Sequence, residues 1–311
     1  MPELITYTEG DLHLQVAPEL GARVHRLRAF GVDLLRTPQD LDAHRRDPFF
    51  WGCYVMAPWC NRLDCRPVNI AGRTVALSPN FPDGSAIHGQ VYAQPWQQVN
   101  DRRLEILAGG NTWPWRYKVA MDITAADAAI TLDYMLTNVD DVPMPAGIGI
   151  HPWFAKPVEV LIPAHSVYPA NAATAAKPEP VSPPFDLRSC AVMADDLDAT
   201  WTGLTEQIVR LRWPQHEITA SLAFAADQSC VVGASPAHLD AVAIEPQTHA
   251  PAGLRRLLHA QPQPMRLLDP GTSLSISYTF TARHNALPSS HPPAASLQAK
   301  TDPERPGSAS W

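Results

Sequence analysis

The feature that most constrains the fold of this chain is a period-two alternation of apolar and polar residues. Apolar side chains occupy every second position in three runs, residues 117–123, 130–136 and 274–280. This spacing is typical of β-strands that bury one face and expose the other to water. Turn-forming sequences interrupt the pattern at residues 108–111, 138–141 and 270–271. Short strands joined by turns, without a long amphipathic helix, predict an all-β protein built as a large antiparallel β-sandwich.

Helical patterns are confined to short pieces near residues 40–46 and 253–259. A single β-sandwich of this length is common, so we expect residues 1–283 to form one domain. The chain has 32 prolines, which cluster in residues 163–184 and again after residue 284, and the first cluster predicts a long, irregular surface segment. Apolar content falls from residue 284 onward, so residues 284–311 are expected to be a disordered tail rich in proline and serine.

Composition excludes several classes of partner. The net charge of −7, with scattered Lys and Arg, argues against binding to nucleic acid, and no apolar run is long enough to span a membrane.

The first ten residues lack the basic and apolar pattern of a signal peptide. The five cysteines are odd in number and show no CxxC spacing, which favours free thiols in a cytoplasmic protein. Neither a GxGxxG nor a P-loop motif occurs, so no nucleotide cofactor is expected.

Four short stretches place a polar residue among apolar or turn-forming neighbours. They are residues 57–62 with Asn61 and Arg62, 86–89 with His88, 147–154 with His151 and Trp153, and 241–248 with Glu245. Taken singly, each has an ordinary explanation, because such histidines and arginines are more often structural than catalytic. Glu245 is harder to explain, since a carboxylate on an apolar strand is rare unless it is partnered or used.

Together these stretches resemble the aldose 1-epimerase (galactose mutarotase) family over nearly all of residues 5–282. The matching motifs occur in the family's order: Asn61-Arg62, His88-Gly89, Gly149-Ile150-His151-Pro152-Trp153-Phe154, Leu197-Asp198 and Glu245-Pro246-Gln247-Thr248. The chain departs from the family at Ala199, where a second acid is common, and in a longer segment at 250–263. These departures concern sugar preference more than reaction type.

The resemblance implies a galactose mutarotase-like supersandwich that interconverts the α and β anomers of a free aldose by acid/base ring opening and reclosure. It implies Glu245 as the base at sugar O1 and His151 as the acid at O5. His88 would add a hydrogen bond near the ring oxygen. The sugar hydroxyls would be held by Arg62 and Asp198.

Asn61 and Trp153 complete the expected binding set. Trp153, Tyr117 and Trp51 all remain candidates for the apolar face that packs on the sugar ring. With ordinary pKa values of about 4.3 for Glu245 and 6.5 for His151, a bell-shaped pH dependence follows.

The expected enzyme uses no metal and no other cofactor, because its histidines must be free to move protons. It would act on a monosaccharide as a monomer or homodimer.

Two alternative functions stay open. A hexose-phosphate 1-epimerase of the same fold would need a basic cluster for phosphate, and the candidates are Arg45-Arg46, Arg102-Arg103, Arg255-Arg256 and the Arg26/Arg28 pair. A non-catalytic sugar-binding protein would not need the whole proton-transfer set.

Overall fold

A computed structural model describes residues 3–169 and 177–285 of the chain. Strands make up most of the regular structure in these residues. The first thirteen are β1 (Ile5–Glu9), β2 (Leu12–Ala17), β3 (Arg23–Ala29), β4 (Val32–Asp33), β5 (Cys53–Met56), β6 (Arg62–Leu63), β7 (Val68–Ile70), β8 (Arg73–Val75), β9 (Ala86–Ile87), β10 (Gln97–Asn100), β11 (Arg103–Gly109), β12 (Arg116–Ala126) and β13 (Ala129–Asn138).

The remaining strands are β14 (Met144–Ala146), β15 (Gly149–Ala155), β16 (Glu159–Leu161), β17 (Ala164–Pro169), β18 (Glu179–Pro180), β19 (Ala191–Val192), β20 (Leu197–Leu204), β21 (Ile208–Trp213), β22 (Ile218–Ala225), β23 (Cys230–Ser235), β24 (Ala241–Gln247), β25 (Arg266–Leu268) and β26 (Ser273–His284).

Two large antiparallel sheets contain most of these strands. The eleven-stranded sheet has the order β1-β2-β3-β5-β15-β24-β23-β20-β17-β18, with β4 paired to β3. The nine-stranded sheet has the order β10-β11-β12-β13-β26-β22-β21-β16-β19. Three two-stranded ribbons, β6-β9, β7-β8 and β14-β25, complete the fold. The chain is therefore a large antiparallel all-β sandwich, as its alternation predicts.

The three alternating runs lie side by side as β12, β13 and β26 in the nine-stranded sheet. Their apolar positions, such as Val119, Leu132 and Ile276, are buried in a core to which both sheets contribute. The alternation therefore identifies both the strands and the face that each one buries.

The described helices are short, as the sequence predicts: α1 spans Ala43–Arg46 and α2 spans Gly253–Leu258. Within residues 3–169 and 177–285, no helix has the length and hydropathy needed to cross a bilayer.

The proline-rich segment is more regular than expected where the structure describes it. β17 pairs with β20 and lies next to the edge of the eleven-stranded sheet, and Val167 and Tyr168 are buried. Pro163 and Pro169 fall just before and at the end of this strand, so the residues between them keep their N–H groups for pairing. Pro180 lies on the edge strand β18, where proline is tolerated. Residues 170–176 lie outside the described part.

β26 continues to His284, one residue beyond the expected end of the domain. Asn285 still donates its backbone N–H to the carbonyl of Glu217 at 2.7 Å. The rest of the expected tail, residues 286–311, lies outside the described residues.

Candidate active site

The candidate site lies on the face of the eleven-stranded sheet that points away from the core between the two sheets. On β15, Ile150 and Phe154 belong to that core, so His151 and Trp153 point to the opposite face. The same alternation on β24 buries Ile244 in the core and turns Glu245 the other way.

The register of two central strands places the candidate acid and base directly across from each other. The register of β15 against β24 pairs Gly149 with Gln247 and Trp153 with Ala243, with no pairing between these points. Pro152 and Pro246 fall within this gap, and neither has an N–H to donate. His151 and Glu245 lie in the same gap, and His151 Nε2 is 3.1 Å from Glu245 Oε1.

Tyr278 of the other sheet closes the gap from the core side. Its hydroxyl donates to the carbonyl of Pro246 at 2.9 Å and is hydrogen-bonded to the backbone of Ile150. The backbone groups freed by the missing pairing are thereby partly satisfied without changing the direction of the two site side chains.

The motifs Asn61-Arg62 and His88-Gly89 form one unit beside this pair. Arg62 of β6 pairs with Ile87 of β9, and both Asn61 and His88 adopt positive φ angles, of 56° and 61°. Gly89 is required because a Cβ there would lie 2.0 Å from the carbonyl oxygen of Ala57. The Asn61 N–H donates to Nδ1 of His88 at 3.2 Å. His88 therefore carries its proton on Nε2 in the neutral form.

The rings of the site pack against each other. His88 meets the His151 ring edge-on, with centroids 4.9 Å apart, and Tyr54 of β5 stacks on His151 at 4.7 Å. His88, His151 and Tyr54 are all buried. This packing leaves the imidazole of His151 little freedom to rotate.

These groups line a cavity of about 240 Å³. This volume suits a small ligand, since drug-sized molecules occupy pockets of about 300–1,000 Å³. All seven residues expected from the sequence contribute to the lining: Asn61, Arg62, His88, His151, Trp153, Asp198 and Glu245.

The polar residues beside the His151–Glu245 pair differ in their hydrogen-bond partners and in their burial. Arg62 donates Nε to Asp83 at 2.6 Å, and its guanidinium lies over the Phe81 ring. Asn61 uses its side-chain oxygen to accept the Arg62 N–H at 2.8 Å. Asp198 is mostly buried, and burial raises the pKa of its carboxyl group.

Of the three aromatic candidates, only Trp153 lines the cavity. Tyr117 is buried in the core between the sheets, and Trp51 packs against the Arg36 guanidinium. The motifs also missed several lining residues, namely Phe49, Phe50, Tyr54, Phe81 and His238. The adjacent aromatics Phe49 and Phe50 precede a turn without alternation, so only their unusual apolarity could have signalled them.

Burial moves the pKa values of the acid and base in opposite directions. Desolvation, reinforced by the Asp198 charge, raises the pKa of Glu245 well above its usual value. Desolvation lowers the pKa of His151 to about 3 and that of His88 well below its usual value. The expectation of ordinary pKa values is therefore wrong for this pair, because its environment disfavours any net charge.

The contacting pair is best described as holding one proton in common. A form with two protons carries a net positive charge, and a form with none carries a net negative charge. Burial penalises both of these forms. The one-proton form, either Glu⁻ with HisH⁺ or GluH with neutral His, is favoured across a wide pH range.

Comparison with known proteins gives the family. A family model described as aldose 1-epimerase matches residues 3–281. The chain belongs to the aldose 1-epimerase family. Among curated proteins, uncharacterized protein YphB of Escherichia coli (strain K12) is 27% identical over 105 residues, 33% of this chain and 36% of that protein. The aligned part is thus about a third of that relative's length.

Solved structures share the fold. A galactose mutarotase-like protein from Clostridium acetobutylicum has a TM-score of 0.78 at 15% identity, covering 91% of this chain and 96% of that one. The GalM/aldose epimerase homologue from C. elegans has a TM-score of 0.75 at 17% identity, covering 91% and 99%. At these identities the likeness concerns the aldose 1-epimerase fold alone.

Three groups of this aldose 1-epimerase family member could also hold a cation. Ligand atoms of His88, His151 and Glu245 all lie within 4.8 Å of one another. A cation would need lone pairs from both His151 and Glu245 and would displace the proton that they share. The absence of a metal requirement therefore stays a prediction, which chelation tests.

We predict that the catalysed rate survives prolonged incubation with EDTA and subsequent gel filtration. The measurement is the polarimetric rate before and after treatment, together with metal analysis of the purified protein. Loss of activity that one divalent ion restores would contradict a site that works by proton transfer alone.

We also predict a broad plateau in kcat/KM across neutral pH. The acidic limb follows entry of a second proton, which the lowered pKa of His151 delays to low pH. The basic limb follows loss of the shared proton, which the raised pKa of Glu245 delays to high pH. The measurement is polarimetry from about pH 4 to about pH 10 with the uncatalysed rate subtracted. A narrow maximum between the ordinary values of about 4.3 and 6.5 would contradict the one-proton description.

Proposed function

We propose that this protein is an aldose 1-epimerase that interconverts the α and β anomers of a free monosaccharide. The observation that carries the proposal is the buried contact of 3.1 Å between His151 and Glu245 in the cavity. Mutarotation needs one group that removes a proton and one that supplies a proton on the same small substrate. A carboxylate and an imidazole in contact, facing a cavity of monosaccharide size, meet this requirement.

In ring opening, Glu245 and His151 exchange one proton each with the sugar. Glu245, as carboxylate, takes the proton of the C1 hydroxyl while His151, as imidazolium, gives a proton to the ring oxygen. The C1–O5 bond breaks and leaves the open-chain aldehyde, with Glu245 protonated and His151 neutral. Rotation about C1–C2 exposes the other face of the aldehyde, and closure reverses both proton transfers. The proton count of the pair never changes, so neither step creates a net charge in the buried site.

The other lining residues have supporting roles in this proposal. His88 presents its Nε2–H as a hydrogen-bond donor, because Nδ1 already accepts the Asn61 N–H. The lowered pKa of His88 keeps its imidazole neutral, so Nδ1 stays an acceptor. Arg62 and Asp198 hold sugar hydroxyls, and Asn61 supports the Arg62 backbone. Trp153 offers its apolar ring to the sugar.

The charge distribution favours a free aldose over a sugar phosphate. Among the described residues that line the cavity, Arg62 is the cationic side chain apart from the histidines, and it is paired with Asp83. None of the four basic groups considered for phosphate lines this cavity in the part of the chain that the structure describes. Arg45 and Arg46 pair with acids of their own segment, and Arg103 pairs with Glu105 and Asp122.

The proposal for the whole protein is a single-domain cytoplasmic isomerase of carbohydrate metabolism that acts as a monomer or homodimer. The free state of all five cysteines supports a reducing compartment.

The function is tested by polarimetry of fresh α-glucose, α-galactose and other aldoses, with the protein and without it. We predict a catalysed rate, and Glu245→Gln should lower turnover by roughly 10² to 10⁴, since it removes the base and keeps the shape. Glu206→Gln is the matched control, because Glu206 is an exposed glutamate paired with Arg210. A folded Glu245→Gln variant with nearly parental activity would overturn the assignment of the base.

A further inference from the structure

A short loop joins α1 to β5 and supplies part of the cavity wall. Residues 48–51, Pro-Phe-Phe-Trp, form neither helix nor strand, yet the Phe49 and Phe50 side chains line the cavity beside Trp153. A loop without pairing does not by its own backbone hold such a wall in one position. Something else must fix it.

Each of the four loop carbonyls accepts a hydrogen bond from a side chain elsewhere. Arg23 donates from Nη2 to Pro48 O at 2.7 Å and from Nη1 to Trp51 O at 2.8 Å. Trp153 donates from Nε1 to Phe49 O at 2.6 Å, and Arg36 donates from Nη1 to Phe50 O at 2.6 Å. Two arginines and the site tryptophan thus hold four consecutive peptide groups.

Arg23, the first residue of β3, is an unusual residue to bury. Its side chain is 1% exposed, and no carboxylate oxygen of the described residues lies within 4.0 Å of its guanidinium. A buried charge without an ion pair is costly unless hydrogen bonds compensate for its lost hydration. The compensation here comes from the loop carbonyls, from the Tyr92 carbonyl at 3.4 Å and from the Tyr54 ring, whose centroid is 4.7 Å from the guanidinium carbon.

Arg36 holds the same loop from its other side. Its guanidinium carbon lies 3.5 Å from the Trp51 ring centroid, a cation–π contact. Its backbone N–H donates to Trp153 O at 2.8 Å, and its carbonyl accepts the Gly52 N–H at 2.9 Å. Arg36 therefore connects the loop directly to β15, the strand that carries His151.

We propose that Arg23 and Arg36 are positioning residues that fix the Phe49–Phe50 wall beside Trp153 and thereby set the affinity of the site for its sugar. The inference rests on the proposed function of the cavity. Phe49 and Phe50 carry no group that can give or take a proton, so their contacts with the sugar would be alike in the ground state and the transition state. Such uniform binding changes KM and leaves kcat nearly unaltered.

The test compares two loop variants with a matched control by polarimetric kinetics and thermal melting. Arg36→Gln, at a half-buried position, and Arg23→Lys, which keeps the charge but loses the two-pronged donor, should each raise KM roughly threefold to tenfold. Turnover of Arg36→Gln should remain within about twofold of the parent. Arg23→Lys tests KM alone, because Arg23 also packs on Tyr54, which stacks on His151. Arg73→Lys is the control, because Arg73 also donates to a backbone carbonyl, that of Pro114, and lies near a tryptophan, Trp115, away from the cavity. It should lower the melting temperature without changing KM.

An unchanged KM in folded Arg36→Gln would overturn the proposal, and so would an equal rise in KM in Arg73→Lys. If Arg23→Lys fails to fold, the KM of Arg36→Gln tests the proposal by itself, because the Arg36 side chain is partly exposed and its replacement is tolerated more easily. A loss of turnover at unchanged KM would also contradict a wall that binds uniformly. Failure of the proposed function looks different, because the parental protein itself would then leave the mutarotation rate of every aldose unaltered.

Discussion

The contact between His151 and Glu245 is the interaction on which the account of this site depends. It exists because the register of β15 against β24 sets His151 directly across from Glu245 in the middle of a large sheet. Proline is normally excluded from central strands, since it cannot donate to the ladder. Here Pro152 and Pro246 stand next to the two site residues in a stretch without backbone pairing, and Tyr278 partly satisfies the backbone groups left open.

Burial gives the contact its chemical character. In water, Glu245 and His151 would titrate separately at ordinary pKa values. In this cavity the desolvation cost of any net charge makes the one-proton state of the pair the stable one. In the proposed reaction, ring opening and closure would shift that proton between two arrangements of equal net charge. The buried environment would then match the proposed reaction at each stage.

Much of the fold could be predicted from the sequence, because alternation is a direct consequence of strand geometry. Alternation alone was enough to predict the strands β12, β13 and β26. The seven predicted site residues meet in one cavity although Asn61 and Glu245 are far apart in sequence. Their order along the chain carried that information through the family resemblance. Local chemistry alone left each residue with an ordinary structural explanation.

What the sequence could not provide depends on three-dimensional surroundings. The loop with Phe49 and Phe50 has no periodic pattern, and its position depends on Arg23 and Arg36, which belong to other segments. Trp153 could not be separated from Tyr117 and Trp51, because all three lie in apolar or aromatic sequence. The strand within the proline-rich segment was missed, since its prolines fall where they leave the pairing intact. The directions of the pKa shifts required knowledge of burial.

A double-mutant cycle on Glu245 and His151 tests the central claim most directly. Turnover is measured by polarimetry for Glu245→Gln, His151→Asn and the double variant, with folding checked by circular dichroism. If the two residues share one proton and act as a unit, the double variant is little slower than either single variant. If the two losses multiply, the residues act independently, and the one-proton mechanism is wrong.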